Sequence, residues 1–244
     1  MPALDIALGE IIGAIGEPGF PTRVAGALRR FTDFDLAAVV LHRERDEASI
    51  LSDNFDQIGC RQGIETYARA THRLNPMLAS RRASAVRARD FAHLPAARLR
   101  AMQRHIVRAE DEELGYRTLG WPPRHEEIGL YFEGWGGVIE LGFYRARARR
   151  AAPHGTLEAL TALRSSIAAA FERHRALSRE EAAVWHAPLS AREHEVGELL
   201  LRGCSSEAIA LRLGISRHTV KDHRKNIFRK LAIASLAELF ALAR

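Results

Sequence analysis

The C-terminal quarter of this 244-residue sequence places helix-capping residues and glycines at intervals that indicate four short helices. Ser190 is followed three residues later by Glu193, a pair that closes a helix N-terminus with two reciprocal hydrogen bonds. Gly203 and Gly214 stand where helices end, and the residues that can cap the next helices are Ser205 or Ser206, Ser216 and Ser235. The apolar residues recur at helical spacing: Val196, Leu199 and Leu200; Ile209, Ala210 and Leu213; Val220, Ile227 and Leu231; Leu236, Leu239 and Leu242. Four short helices with a glycine turn between the second and third predict a helix-turn-helix domain.

The third of these helices carries most of the net positive charge of the chain. The sequence has 36 Lys and Arg against 30 Asp and Glu, a net charge of +6. The cations of this helix are Arg217, Lys221, Arg224, Lys225, Arg229 and Lys230, and these include every lysine of the chain. Asp222 is the one acid among them. Such a helix is suited to the major groove of DNA, although a run of charge can also be a solvated surface.

Three stretches of this region follow a known pattern: Leu189-Ser190-x-Arg192-Glu193-x-Glu195-Val196, Glu207-x-Ile209-Ala210-x-x-Leu213-Gly214-Ile215-Ser216, and Thr219-Val220-Lys221-x-His223. With these residues, positions 188–243 resemble the DNA-binding domain of LuxR-type regulators of the NarL/FixJ superfamily. The resemblance implies an all-α four-helix domain, double-stranded DNA as partner and a homodimer formed through the fourth helix, from Ser235 to Ala243. Two positions depart from the family pattern: Ala232 replaces the usual Gly, and Asp222 replaces Asn or an apolar residue.

By the same analogy, Lys221 and Lys225 are expected to contact bases. Arg217, His218, Thr219 and Arg224 are expected to contact phosphates. Ser216, Asp222 and Lys230 complete the predicted DNA-binding residues. An acidic side chain facing DNA either biases the choice of base or points away.

The residues before this domain alternate between helical and strand patterns. Helices are predicted over 3–15, 22–31, 61–74, Pro95 to Ile106 and 156–183. Strands are predicted over 35–42 and 48–55, joined by a turn at 43–47, and over 126–133 and 137–145, joined by Gly134-Trp135-Gly136-Gly137. Residues 77–94 are mixed, with a solvated Arg-rich stretch at 81–89, and 114–123 are interpreted as a connector.

This order predicts an α+β domain with an antiparallel sheet layered with helices, similar to PAS or GAF domains. We expect a ligand-sensing and dimerisation domain over residues 1–180, a linker over 181–188 and the helix-turn-helix domain over 189–244. No lysine precedes Lys221, which excludes a phosphorylated receiver and a phosphate-binding loop. We find no catalytic signature and predict no enzyme activity.

Other features restrict cofactors and location. Cys60 and Cys204 form neither a zinc pattern nor a disulfide framework, and the scattered histidines (His72, His93, His105, His125) indicate no metal site. We therefore predict no cofactor and no metal. The longest aliphatic run, 36–41, is far shorter than the about 20 residues of a membrane helix. The N-terminus lacks an early basic residue, so we expect no secretion, no membrane partner and a cytoplasmic location.

The strand and helix order is also similar to the acyl-homoserine-lactone-binding domain of quorum-sensing receptors. Tyr67 followed by Asn75-Pro76 resembles their aromatic plus Asp-Pro motif, in which the Asp accepts the ligand amide N–H. Asn75 is neutral and both donates and accepts, and Gly63 stands where a second aromatic is expected. The candidate ligand-binding residues are Tyr67, Asn75, Trp121, Tyr131 and Trp135.

Each of these residues has a structural alternative. Tyr67 is also a plausible core aromatic, and Asn75 can cap a helix end. Trp121 and Trp135 can be pocket walls or surface packing. Tyr131 is out of phase with its strand neighbours and is predicted to face the opposite side of the sheet. The ligand is an acyl-homoserine lactone or another small molecule, or the domain binds no ligand and partner proteins or abundance control the regulator.

Overall fold

The computed structural model describes residues 2–43, 47–80, 84–146, 154–186 and 189–242. The chain divides into two compact units, Met1–His174 and Arg175–Arg244. Parts of four predicted segments lie outside the described residues: 44–46 of the first turn, 81–83 of the Arg-rich stretch, 187–188 of the linker and residue 243 of the last helix.

The first unit is organised around a five-stranded antiparallel sheet. Its strands and a separate two-stranded ladder are, in chain order, β1 (Leu36–His42), β2 (Ser49–Asp53), β3 (Val86–Arg87), β4 (Ile106–Arg108), β5 (Tyr116–Thr118), β6 (His125–Gly134) and β7 (Gly137–Ala146). The sheet order is β2-β1-β7-β6-β3, and β4 pairs with β5. β6 and β7 form the predicted hairpin. Its two turn residues, Trp135 and Gly136, have φ values of 56° and 79°, as a two-residue turn with a right-handed strand twist requires.

Helices cover both faces of the sheet. They are α1 (Pro2–Gly13), α2 (Phe20–Thr32), α3 (Arg61–Arg69), α4 (Pro76–Ser80), α5 (Ala96–Ala101) and α6 (His154–His186). Alternate β1 residues divide between the faces: Val39 packs with α1, α2 and α6, and Val40 packs with α3. Tyr131 faces away from Leu130 and packs with α4, α5 and the β4–β5 ladder, which confirms the predicted change of face. None of the described helices is long and apolar enough to cross a membrane.

Four predicted segments are wrong in part. The helix predicted over 61–74 ends at Arg69 and continues as a 3-10 turn over Thr71–Leu74. Ile106 lies in β4 rather than in a helix, and the predicted connector 114–123 contains β5. β4 and β5 pair with Ile106 opposite Thr118, a partnership across twelve residues that local periodicity does not reveal. α6 continues to His186, so residues 181–186 of the predicted linker are helical.

The second unit contains the end of α6, from Arg175 to His186, and then the predicted four-helix domain. The helices of that domain are α7 (Ala191–Leu201), α8 (Ser206–Leu213), α9 (Arg217–Lys230) and α10 (Leu236–Leu242). Each predicted serine caps its helix, and for α8 the cap is Ser205. Gly203 and Gly214 have φ values of 75° and 64°, which glycine adopts without strain. The fully buried core residues come from all four helices: Val196, Ile209, Val220, Ile227 and Leu239.

We expect Gly63→Ala to destabilise the first unit. A Cβ at Gly63 would lie 2.6 Å from the carbonyl carbon of Gly120 and 2.8 Å from the backbone nitrogen of Trp121, so the backbone itself would have to move. We expect a loss of about 1–3 kcal/mol in urea unfolding of the full chain. Gly9→Ala in α1 is the control, because its Cβ would meet nothing within 4 Å and helix propensity favours Ala. Equal stability of the two variants would contradict the close packing of Gly63 against the Gly120–Trp121 backbone.

Candidate functional site

The first candidate site is the exposed face of α9. The helix begins at Ser216, whose Oγ accepts a hydrogen bond from the backbone nitrogen of Thr219 at 3.0 Å. Val220 and Ile227, seven residues apart, are fully buried and fix the inner face of the helix. The outward face is therefore determined by the cap and by these two core residues.

A stripe of cations lies on this outward face. Arg217, Lys221, Lys225 and Arg229 follow one another at four-residue spacing and are exposed. Arg217 forms an ion pair with Glu207 of α8. Among the described side chains, neither Lys221 nor Lys225 has an ion-pair partner, so both ammonium groups are available to an anionic partner. We call Arg217, Lys221, Lys225 and Arg229 the α9 stripe.

His218 and Asp222 lie next to the stripe. Nε2 of His218 is 3.7 Å from an Asp222 carboxylate oxygen, and both side chains are exposed. Asp222 therefore shares the outward face with the lysines. The side chain remains accessible as a hydrogen-bond acceptor.

Two further predicted DNA-binding residues, Lys230 and Arg224, also contact side chains of the domain. The Lys230 ammonium binds a Glu193 carboxylate oxygen at 2.6 Å. This contact, together with the hydrogen bond from the Ser190 backbone, lowers the pKa of Glu193 to about 2. The Arg224 guanidinium lies 5.4 Å from the centre of the Phe228 ring. Lys230 thus ties the end of α9 to the capping box of α7.

The second candidate site is a small cavity in the first unit. It has a volume of about 40 Å³ and brings together Tyr67 of α3, Asn75 and Trp121. The remaining lining residues are Leu114, Tyr116, Arg117, Thr118, His125 and Glu127. Three of the five predicted ligand-binding residues therefore line one cavity.

A buried carboxylate lies behind the cavity wall. Glu140 of β7 is fully buried and accepts a hydrogen bond from the Tyr67 hydroxyl at 2.7 Å. His42 Nε2 lies 2.6 Å from the same oxygen, and the Tyr131 hydroxyl lies 3.4 Å from the other. The Asn75 amide donates to both tyrosine hydroxyls, at 2.8 and 3.2 Å. We call Glu140, His42, Tyr67, Tyr131 and Asn75 the Glu140 network.

The network keeps its tyrosines protonated. Burial, followed by the charge of Glu140, raises the pKa of Tyr67 and of Tyr131 well above the ordinary value. Both hydroxyls therefore remain donors to Glu140. The sequence analysis missed Glu140 and His42. A single acidic residue within the apolar run of β7 was the available signal.

Asn75 also begins a helix. Its Oδ1 accepts from the backbone nitrogens of Met77 at 2.9 Å and Leu78 at 3.4 Å, so Asn75 caps the start of α4 rather than the end of the preceding helix. Because Oδ1 is occupied in this way and the amide nitrogen serves two tyrosines, the hydrogen-bonding groups of Asn75 are already used. The space beside Gly63 is filled by the Gly120–Trp121 backbone.

Trp135 lies away from this cavity. Its Nε1 donates to the carbonyl of Phe171 at 2.9 Å, and its ring contacts the Phe171 ring on the α6 side of the sheet. Tyr131 approaches the cavity through Asn75 without lining it. Among the described residues, no group of three His, Cys, Asp or Glu side chains is arranged to hold a metal ion.

Comparison with known proteins identifies the second unit. The family model for bacterial regulatory proteins of the luxR family matches residues 187–243. An HTH-type transcriptional regulator of the exeN 3' region of Aeromonas salmonicida is 56% identical over 54 residues, which are 22% of this chain and 28% of that protein. The transcriptional regulatory protein FixJ of Azorhizobium caulinodans is 39% identical over 85 residues, or 34% of this chain and 40% of FixJ. The chain thus spans well under half the length of these relatives.

Solved structures with similarity to a longer part of the chain are more distant. Escherichia coli SdiA is 15% identical with a TM-score of 0.36, covering 91% of this chain and 87% of SdiA. The VqsR LBD domain of Pseudomonas aeruginosa is 14% identical with a TM-score of 0.47, covering 70% of this chain and 95% of that domain.

We expect Lys230→Ala to destabilise the second unit by about 1 kcal/mol at pH 7, because the buried Glu193 carboxylate loses its cation. Wild-type Glu193 has a pKa of about 2, below its ordinary 4.5, so the contribution is complete above pH 4.5 and declines as the pH falls towards 2. The difference in stability between Lys230→Ala and the wild type should become smaller over the same pH range. Hydrogen exchange of the α7 and α9 amides in the full chain measures this stability.

Arg229→Ala is the matched control for Lys230→Ala. It removes one positive charge at the neighbouring position, where the side chain is exposed. It should change the protection of these amides by less than about 0.5 kcal/mol. If the two variants exchange alike at pH 7, the Glu193–Lys230 pair does not stabilise the domain.

Proposed function

Because residues 187–243 form a luxR-family domain, we propose that this protein is a sequence-specific, DNA-binding transcriptional regulator. The α9 stripe is the observation that carries the proposal. A capped helix, held by a buried face and presenting accessible cations on the other, fits the major groove and its flanking phosphates. A regulator of this kind acts in the cytoplasm, where bacterial DNA is found, and has no catalytic step of its own.

In this proposal the N-terminal half of α9 enters the groove. Lys221 and Lys225 reach base edges or phosphates, with Arg217, His218, Thr219 and Arg224 around them. The N-terminus of α9 at Ser216 presents backbone N–H groups that favour a phosphate. Asp222 faces outward and accepts hydrogen bonds, so cytosine, with its N4 donor, is the base it favours.

We further propose that the regulator binds DNA as a homodimer. Leu239 of α10 is buried in its own domain, whereas Phe240 retains 37% of its surface exposed. An exposed aromatic next to a buried leucine leaves a contact for a second copy. Two α9 helices would then read half-sites about one DNA turn apart.

We propose that a small ligand controls this regulator through the cavity lined by Tyr67, Asn75 and Trp121. A buried cavity with several polar side chains supports this proposal over a ligand-independent regulator controlled by partners or abundance. An acyl-homoserine lactone is the less favoured ligand, because the amide nitrogen and the Oδ1 of Asn75 are already hydrogen-bonded within the protein. The ligand would act by binding the DNA-competent arrangement of the protein more tightly than the alternative arrangement.

We expect Lys221→Ala and Lys225→Ala each to weaken DNA binding by about 1–3 kcal/mol, or about 5- to 150-fold. The operator is first selected from random duplexes, and affinity is then measured by fluorescence anisotropy at several salt concentrations. Replacing a residue that contacts a phosphate lowers the salt slope by about one, whereas replacing a residue that reads a base relaxes the sequence preference at one position.

Arg173→Ala is the charge-matched control, since Arg173 is exposed on α6 in the first unit. Its affinity should stay within about twofold of the wild type. Unchanged affinity for both lysine variants at fixed salt would place the DNA contact elsewhere than the α9 stripe.

A further inference from the structure

The small cavity of the first unit combines aromatic rings with one carboxylate. Tyr67, Tyr116 and Trp121 contribute the rings, and each of these side chains is buried. Trp121 packs against Tyr67, with ring centres 5.5 Å apart. Glu127 of β6 reaches the same cavity. Aromatic faces carry partial negative charge, so rings and carboxylate together form a surface that attracts a cation.

The basic side chains in the cavity wall have partners in the protein. The guanidinium of Arg117 donates to the carbonyl of Trp121 at 3.0 Å and lies 3.4 Å from a carboxylate oxygen of Glu112. His125 accepts from the indole N–H of Trp121 at 3.0 Å and, with that nitrogen occupied, donates from Nδ1 to the carbonyl of Pro122 at 2.8 Å. Both side chains therefore have partners other than Glu127.

Glu127 is surrounded by groups that disfavour its negative charge. Burial, and then the carboxylates of Glu140 and Glu113, raise its pKa well above the ordinary value, and a hydrogen bond with Tyr144 opposes them only in part. Among the described residues, Glu127 has no ion pair with Arg, Lys or His. A cation placed in the cavity would restore the charged carboxylate and compensate its desolvation.

We propose that this cavity binds the ammonium group of a small primary amine, with Glu127 as the counter-ion and the rings of Tyr67, Tyr116 and Trp121 around the methylene adjacent to the nitrogen. The inference rests on the ligand-sensing role proposed above and specifies the chemical class of the ligand. The ammonium group donates N–H hydrogen bonds to the Glu127 carboxylate, whereas the Oδ1 acceptor of Asn75 is already occupied by the backbone nitrogens of Met77 and Leu78.

The size of the cavity limits the ligand. The cavity volume of about 40 Å³ favours a ligand with few non-hydrogen atoms. Ethylammonium has this size and is the probe of choice. Ligands of three atoms bind weakly even in ideal sites, so its Kd is expected to be on the order of 1 mM.

Binding is tested on the full chain by saturation-transfer NMR of ethylammonium chloride at about 10 mM, with thermal unfolding in parallel. Ethanol, which has the same number of non-hydrogen atoms and no charge, is compared under the same conditions. We expect saturation transfer and a raised Tm with ethylammonium, and neither effect with ethanol or with sodium chloride at equal ionic strength.

Glu127→Gln should weaken ethylammonium binding at least about tenfold, because the counter-ion is lost while the shape is kept. Glu133→Gln is the matched control, since Glu133 is an exposed acid on the same strand. It should bind as the wild type does. Glu127→Gln should fold at least as well as the wild type, because it removes a carboxylate in an unfavourable environment.

Equal binding of ethanol and ethylammonium to the wild type, or no binding of ethylammonium, overturns the proposal without any variant. Equal binding to Glu127→Gln and Glu133→Gln overturns the assigned site. DNA affinity is measured on the same preparations without amine. If the wild type binds DNA but not ethylammonium, only this inference is wrong. If the wild type binds no DNA, or if Lys221→Ala and Lys225→Ala bind it as the wild type does, the proposed function is wrong.

Discussion

The first unit depends on a carboxylate buried in the middle of its sheet. Glu140 lies on β7, and an isolated buried charge would oppose folding unless hydrogen bonds compensate it. His42 of β1, Tyr67 of α3 and Tyr131 of β6 supply those contacts, and Asn75 holds the two tyrosines in place. One carboxylate thus connects the strands β1, β6 and β7 with the helix α3, although these elements are distant in sequence. Two members of this network, Tyr67 and Asn75, also line the cavity.

The second unit depends on local interactions. Its helices begin at serines whose hydroxyls accept backbone hydrogen bonds, and the glycine between α8 and α9 adopts the left-handed conformation that a side chain would resist. The orientation of α9 follows from Val220 and Ile227, which are buried, so that Lys221 and Lys225 point outward. Lys230 at the far end contributes to the domain through Glu193. The exposed face of α9 thus depends on local contacts, whereas the first unit depends on long-range ones.

Sequence reasoning performed well where structure is local. Capping boxes, glycine stops and four-residue periodicity identified all four helices of the second unit, and strand alternation placed Tyr131 on the face opposite Leu130. It failed at β4 and β5, because each is three residues long and gains its stability from the other. It also grouped Trp135 with the candidate ligand-binding residues, whereas the structure places Trp135 against Phe171 and away from the cavity. A tryptophan in a turn has no periodicity to reveal its neighbours.

The sequence by itself determined the helix-turn-helix domain and the side chains available to its outward face, since caps, turns and helical faces depend on residues within a few positions of each other. Only the tertiary structure decided which polar residues of the first unit meet. Tyr67 and Glu140 are 73 positions apart and share a hydrogen bond of 2.7 Å. The placement of Glu127 among aromatic rings likewise depends on strand register and on the path of the β4–β5 ladder, which no local pattern encodes.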